Sequence, residues 1–146
     1  MQKRRDKIRK MRFVYSIQMR YGDFDTQCFV NHSKICSYIE LAYLSFFTER
    51  IFVKWDFSHV PILLKAESTE FIKPIQKDAK PICSVEVVEV RSKGVQLKII
   101  VEDRRRTKLT YAIAYRTLIY VDLKSIHPIL FTNKTLTLLK RNLIDT

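Results

Sequence analysis

The sequence predicts an α+β domain in which an antiparallel β-sheet is wrapped around one long central helix, in the order β-α-β-β-β-β. The first observation is the helix itself. Its apolar residues do not keep to one stripe: Ile35, Ile39, Ala42 and Phe46 form one row, while Cys36, Leu41, Tyr43, Leu44 and Phe47 occupy the others. A helix that is apolar on several sides must be surrounded. The second observation is that the segments before and after it alternate with period two, as strands with one buried face do. The third is size. With 146 residues, 47% of them hydrophobic, the chain can bury a core, and curling a sheet about the helix is the simplest enclosure.

The first strand starts at Phe13, where Phe13, Tyr15, Ile17, Met19 and Tyr21 alternate with Val14, Ser16, Gln18 and Arg20, and Gly22 breaks the pattern. Asn31 or Ser33 can cap the helix, which should run to about Ile51. Ser37 and Glu40 also have capping-box spacing, but they lie inside the apolar run and start nothing. Residues 62–73 read as a strand ending at Pro74. Residues 82–91 read as the next, with Cys83, Val85 and Val87 on one face, and Lys93-Gly94 is a hairpin signal. Val95, Leu97, Ile99 and Val101 then alternate with Gln96, Lys98, Ile100 and Glu102. After the charged turn Asp103-Arg104-Arg105-Arg106, a last strand carries Leu109, Tyr111, Ile113, Tyr115, Thr117 and Ile119 on one side, completing a meander. His127-Pro128 ends it, and Thr132 or Asn133 can cap a short amphipathic helix through Leu136, Leu139 and Leu143.

Composition narrows the chemistry. Cysteines at 28, 36 and 83 are odd in number and lack Cys-x-x-Cys spacing, which argues against a disulfide framework or a zinc site and for a reducing, cytoplasmic setting. His32, His59 and His127 are scattered, with no His-Glu-x-x-His or nucleophile-elbow pattern, so metal hydrolysis and a serine triad are poor readings. Formal charge is +12, and half of it lies in the first twelve residues, where Lys3, Arg4, Arg5, Lys7, Arg9, Lys10 and Arg12 face Asp6 alone. No apolar stretch follows this run, so it does not read as a signal peptide, and nothing downstream is long enough to span a bilayer. We expect residues 1–11 to be a basic arm, frayed or forming a first helical turn, and residues 12–146 to be one domain. The remaining charge suits an anionic ligand, or simply solubility.

The most informative segment is the loop Arg20-Tyr21-Gly22-Asp23-Phe24-Asp25, followed by Val30-Asn31-His32. It sets two carboxylates just ahead of a helix N-terminus, where free backbone N–H groups and the positive end of the dipole can hold an oxyanion. Either acid can equally be a loop Asp bonding to nearby N–H groups in an Asx turn. Asp23 reads as structural, holding the loop or pairing with Arg20. Asn31 is as readily a helix cap as a ligand, and His32 can be an acid or base or a bystander. Glu40 sits mid-helix; burying it unpaired would cost several kcal/mol, so it has partners or faces an opening, where it would serve as a second acid group. Tyr43 and Phe46 can line a tunnel or simply fill the core. Cys28 lies near the helix start, where a thiol can have a lowered pKa, but no base adjoins it in sequence.

These residues resemble the hotdog-fold acyl-CoA thioesterases of the 4-hydroxybenzoyl-CoA thioesterase type, from Arg12 to about Phe131. In that family the first strand ends in Arg/Asn-Tyr-x-Asp-x-Asp, followed by Val-Asn-Asn or a variant and a helix carrying Tyr-x-x-x-x-Glu-x-Ala. Arg20-Tyr21-Gly22-Asp23-Phe24-Asp25, Val30-Asn31-His32 and Glu40-x-Ala42 match in order and spacing. The family's Arg/Lys-Pro corresponds to Lys73-Pro74, and its late Val-Asp turn with Pro-Ile to Val121-Asp122 and Pro128-Ile129. The chain departs from the pattern at Cys28, where the family usually has Gly, at Phe29, often His, and at Asp78-Ala79 in place of Gly-Asp.

The resemblance implies that Asp25 attacks an acyl thioester carbonyl or activates water to do so, with backbone N–H groups around Asn31, His32 and Ser33 as oxyanion donors and Arg20, Tyr21 and Asp23 supporting the loop. It implies an acyl-CoA or acyl-carrier thioester as substrate, no metal or redox cofactor, and a homodimer or homotetramer in which strands pair across subunits. The chemistry is coherent: thioester hydrolysis needs a carboxylate or base near the carbonyl carbon and donors for the oxyanion, while a thiolate leaves well without much protonation. Lys65, Lys73, Arg91 and Arg116 are candidate phosphate contacts for coenzyme A, although basic strand residues are often just solvated. The alternative is a non-catalytic hotdog protein that uses its basic surface to grip nucleic acid or an acidic partner. Dehydratase chemistry, which in related families needs a His in a different motif, ranks last.

Overall fold

A computed structural model of the chain describes residues 12–53, 59–106 and 109–144; the basic arm expected at 1–11 lies outside them. Five strands form one antiparallel sheet: β1 (Phe13–Ser16), β2 (Ile62–Phe71), β3 (Pro81–Val90), β4 (Gly94–Asp103) and β5 (Thr110–Tyr120), in the order β1-β3-β4-β5-β2. The meander β3-β4-β5 is central, and β1 and β2 are its edges. The long helix α1 (His32–Phe46) lies against β3, β4 and β1, and α2 (Asn133–Arg141) packs beside β3 near the end of α1.

Each element has a local cause. Asn31 caps α1: its Oδ1 accepts from the Ser33 N–H at 3.0 Å, so of the two candidate caps it is the first that acts. The helix continues to Ile51, as expected, but through a wider turn over Phe47–Ile51, in which Phe52 N–H donates to the Phe47 carbonyl. Thr132 caps α2, accepting from the Thr135 N–H at 3.2 Å, and Leu139 is driven fully into the core. At the β3–β4 hairpin the glycine is required, because a Cβ on Gly94 would meet the Leu118 carbonyl oxygen at 2.8 Å.

The first strand is shorter than the sequence reading, and the structure fixes which side of the last one faces inward. The alternation that begins at Phe13 stays in the ladder only to Ser16, because β1 pairs with β3 and β3 begins at Pro81; residues 17–20 continue extended into a 3-10 turn over Tyr21–Asp23. On β5 the face packed into the core is Ala112, Ala114, Arg116 and Leu118, registered with Val101, Ile99, Leu97 and Val95 of β4. The bulkier set of Ile113, Tyr115, Thr117 and Ile119 lies on the outer face. At the other end of β5 from these alanines, an aromatic ladder of Phe47, Phe52, Tyr120 and Phe131 closes the far end of the helix, with stacked ring centroids 4.9 to 6.0 Å apart. Phe46 and Tyr43 belong to this packed interior.

Candidate active site

The 20–32 loop is built around Asp23. Its Oδ2 accepts from the Arg20 N–H at 2.9 Å and from the Tyr38 hydroxyl further along α1, tying the loop to the helix that it precedes. Asn31 N–H donates back to the Asp23 carbonyl at 2.8 Å. Burial pushes the Asp23 carboxyl up, but the Tyr38 hydroxyl, the Arg20 amide and the positive charges of Lys34 and Arg20 outweigh it and hold the group below the usual carboxylate range. The Tyr38 hydroxyl is pushed up by burial and by accompanying Asp23. Asp23 is therefore a structural bracket, as the sequence suggested, though it binds the Arg20 main chain.

Asp25 is exposed on the opposite side of that bracket. One oxygen, Oδ1, accepts from the N–H groups of Gln27 at 2.9 Å and Phe29 at 3.1 Å, an Asx-type arrangement. Oδ2 has no partner among the described residues. The side chain lines an open groove of about 330 Å³ together with His32, Phe71, Lys73 and Pro74. The His32 ring stands edge-on to Phe71 of β2, centroids 6.2 Å apart. Sequence reading missed Tyr38 and Phe71, since each meets the loop only through the fold; no local pattern marks them.

The oxyanion donors expected from Asn31, His32 and Ser33 reduce to one. The Asn31 amide is bound to Asp23, and the Ser33 amide is bound by the Asn31 side chain. His32 N–H is the amide of this group that has no partner among the described residues. Glu40 departs from expectation differently. The helix is not covered all round: Ile35, Tyr38, Ile39, Ala42 and Phe46 are buried, whereas Ser33, Ser37, Glu40 and Leu41 form an exposed face, and Glu40 does not line the Asp25 groove, so the second-acid role has no geometry behind it. The buried Tyr43 hydroxyl is pushed up to about 12 by burial and by the charges of Glu40 and Glu67, with Arg116 opposing.

The four candidate phosphate contacts do not converge. Lys73 lines the Asp25 groove. Lys65 and Arg91 sit at the opposite end of the sheet, beside the β3–β4 hairpin, where Arg91 is paired with Glu89 at 3.0 Å. Arg116 is only 2% exposed: its guanidinium donates to the Ser68 carbonyl and Thr69 Oγ1 and pairs with Glu67 at 3.4 Å. A core residue so engaged cannot receive a phosphate, and this expectation is corrected.

Cys28 occupies a left-handed backbone position, φ 65°. That conformation favours glycine, so the cysteine holds it at a cost in backbone strain.

No protein-family model and no curated protein matches this chain in sequence. Solved structures match in shape. A thioesterase from Thermus thermophilus, solved with coenzyme A and zinc, aligns with a TM-score of 0.76 at 17% identity over 87% of this chain and 96% of its own. A 1,4-dihydroxy-2-naphthoyl-CoA thioesterase from Synechocystis gives a TM-score of 0.73 at 13% identity, covering 88% and 96%. A predicted thioesterase from Bacillus stearothermophilus gives 0.82 at 8% identity, covering 92% and 98%. At such identities the likeness establishes the hotdog fold, an α+β sheet wrapped around a long helix, and leaves the chemistry to be argued from the site.

Proposed function

We propose that this protein hydrolyses an acyl-CoA or related acyl thioester to the free acid and thiol, with Asp25 as nucleophile or general base. The observation that carries this reading is the Asp25 carboxylate on the rim of an open groove at the amino end of α1, one oxygen fixed by two loop amides and the other unpartnered among the described residues. A carboxylate held in this way is oriented before substrate arrives. As a base it takes a proton from water while the hydroxyl adds to the carbonyl carbon; the carbon–sulfur bond then breaks and the thiolate leaves. The His32 N–H, at the positive end of α1, is the donor suited to the oxyanion. The reading calls for no metal or redox cofactor. It is supported by the thioesterase names of proteins with this fold and by two structures of the fold described with coenzyme A bound.

The reading includes self-association. Leu64 and Phe71 of β2 are registered with Leu118 and Ala112 of β5, which face the core, yet each remains 48% exposed. A second subunit pairing along β2 would cover them and wall the Asp25 groove on its Phe71 side.

The deciding experiment is thiol release from short, long and aromatic acyl-CoAs by wild type and Asp25→Asn. The substitution keeps the shape and the Oδ1 bonds and removes the charge, so turnover should fall by at least about a hundredfold with an unchanged melting curve. Equal turnover by the two proteins rules out the role of Asp25.

A further inference from the structure

Across the 20–25 loop from Asp25 lies a second, larger groove of about 530 Å³, whose lining includes Arg20, Tyr21, Phe24, Lys77, Lys80 and Arg104. Four of these side chains are cations, and no aspartate or glutamate lines the groove. They come from three loops far apart in sequence: the one after β1, the one between β2 and β3, and the one between β4 and β5. Two of them are held side by side by main-chain bonds. Arg104 N–H donates to the Lys80 carbonyl at 2.7 Å, and Lys80 N–H donates to Asp103 Oδ2 at 3.2 Å. Asp103 itself is buried and does not line the groove; besides the Lys80 amide it accepts from the Tyr111 hydroxyl and the Arg105 amide. Lys77, Lys80 and Arg104 have no acidic partner among the described residues.

Like charges fixed on tied main chains, with no acid lining the groove they share, repel and are relieved by an anion. Several cations in one groove suit a ligand with more than one phosphate. The rest of the groove adds an aromatic requirement. Tyr21 is 94% exposed, leaving its ring face open to stacking, and Phe24, Ile17 and Met19 form an apolar side. A flat ring carrying several phosphates is a nucleotide. Phe24 lines this groove and Asp25 the other, so the two grooves adjoin the same loop on consecutive residues.

We propose that this groove binds the phosphorylated nucleotide of coenzyme A, with its base on Tyr21 and its phosphates on Arg20, Lys77, Lys80 and Arg104. The identity of the nucleotide rests on the thioesterase reading; the groove's anion chemistry does not. The set differs from the scattered cations that sequence suggested, because the loops that gather it meet only in the folded chain.

The test is calorimetric titration of the full chain with adenosine 3′,5′-bisphosphate and with coenzyme A, at low and at physiological salt. The double reversal Lys80→Glu with Arg104→Glu should weaken both ligands at least about tenfold, and wild-type affinity should fall as salt rises. The control reversal Lys140→Glu with Arg141→Glu removes the same charge on α2 and should leave affinity within about twofold, since neither residue lines the groove and exposed charges away from a site are screened by salt. Tyr21→Ala and Lys77→Ala, single exposed changes, keep the question answerable if the double reversal does not fold. Unchanged affinity in the groove variants, or an equal loss in the control, overturns the proposal. So does much tighter binding of a single-stranded oligonucleotide than of the bisphosphate, which would make the groove a nucleic-acid surface. Bisphosphate binding at this groove without thioester turnover upholds the groove and removes the hydrolase; turnover with no dependence on the groove does the reverse.

Discussion

At Cys28 the backbone takes φ 65°, a region where a side chain with a Cβ is disfavoured by about 1 kcal/mol or more. Relief of that strain and the greater freedom of glycine in the unfolded chain oppose each other, and at a left-handed position the strain is the larger effect. Cys28→Gly should therefore raise stability by about 0.5–1 kcal/mol, read as a higher urea midpoint at unchanged slope. A lower midpoint would mean that the cysteine side chain contributes packing that outweighs the strain. The same position shows what a sequence can disclose about one residue. The motif marked residue 28 as a place where glycine is usual, and the dihedral angle of this chain is one that favours glycine. Nothing local marked Arg116 as a core residue, because its burial depends on Glu67, Ser68 and Thr69 of a strand almost fifty positions away in the chain.

Between elements, the second bracket of the molecule is Asp103, which joins the β4–β5 turn to the β2–β3 loop. Its Oδ2 accepts from the Tyr111 hydroxyl at 2.8 Å and the Lys80 N–H at 3.2 Å, and its Oδ1 from the Arg105 N–H at 2.9 Å. Burial pushes this carboxyl up, but the hydroxyl, the two amides and the Arg105 charge together outweigh it and lower it from 3.8 to about 2. A carboxyl depressed by folding contributes stability that is present above its unfolded value and is lost as pH falls through the folded one. Urea midpoints should accordingly decline as pH drops from about 4 to about 2, and the decline should be shallower in Asp103→Asn, which is also weaker at neutral pH. Equal slopes in the two proteins would show that the pairing does not persist in solution. At this scale the sequence was legible where period and capping speak locally: α1, its Asn31 cap, the meander and the hairpin at Gly94 all follow from short-range patterns. The facing of β5 was not, because both of its sides are apolar enough to be buried and only the space beside α1 decides in favour of the alanines. The end of β1 was not either, since ladder length depends on where β3 begins.

For the whole molecule, positive charge collects around the 20–25 loop and the turns beside it, while the β2 side is open, with exposed Leu63, Leu64 and Phe71 among Lys65, Glu67 and Glu70. That asymmetry was invisible in a net charge of +12, because Arg20, Lys77, Lys80 and Arg104 become neighbours only once three loops meet. The open side has its own consequence. β2 spans ten residues and pairs on one side only, with β5, so a long row of main-chain donors and acceptors is left at the sheet edge. Leu63 and Leu64 lie 43% and 48% exposed on its two faces. An edge this long, free of proline and with Leu63 and Leu64 exposed at one end, is a pairing surface even though Lys65, Glu67 and Glu70 share it, and antiparallel pairing with a second copy satisfies the row and covers both leucines. Sedimentation of the wild type should therefore report a dimer or tetramer at micromolar concentration, with a melting temperature that rises with protein concentration. Leu63→Asp with Leu64→Asp places two charges on that edge and should shift sedimentation toward the monomer. In a protein that was monomeric to begin with, each exposed change would alter stability by no more than about 0.5 kcal/mol. A larger loss of melting temperature that disappears when both proteins are compared at high dilution is then the signature of broken association, and a wild type that sediments as a monomer throughout rejects the pairing outright.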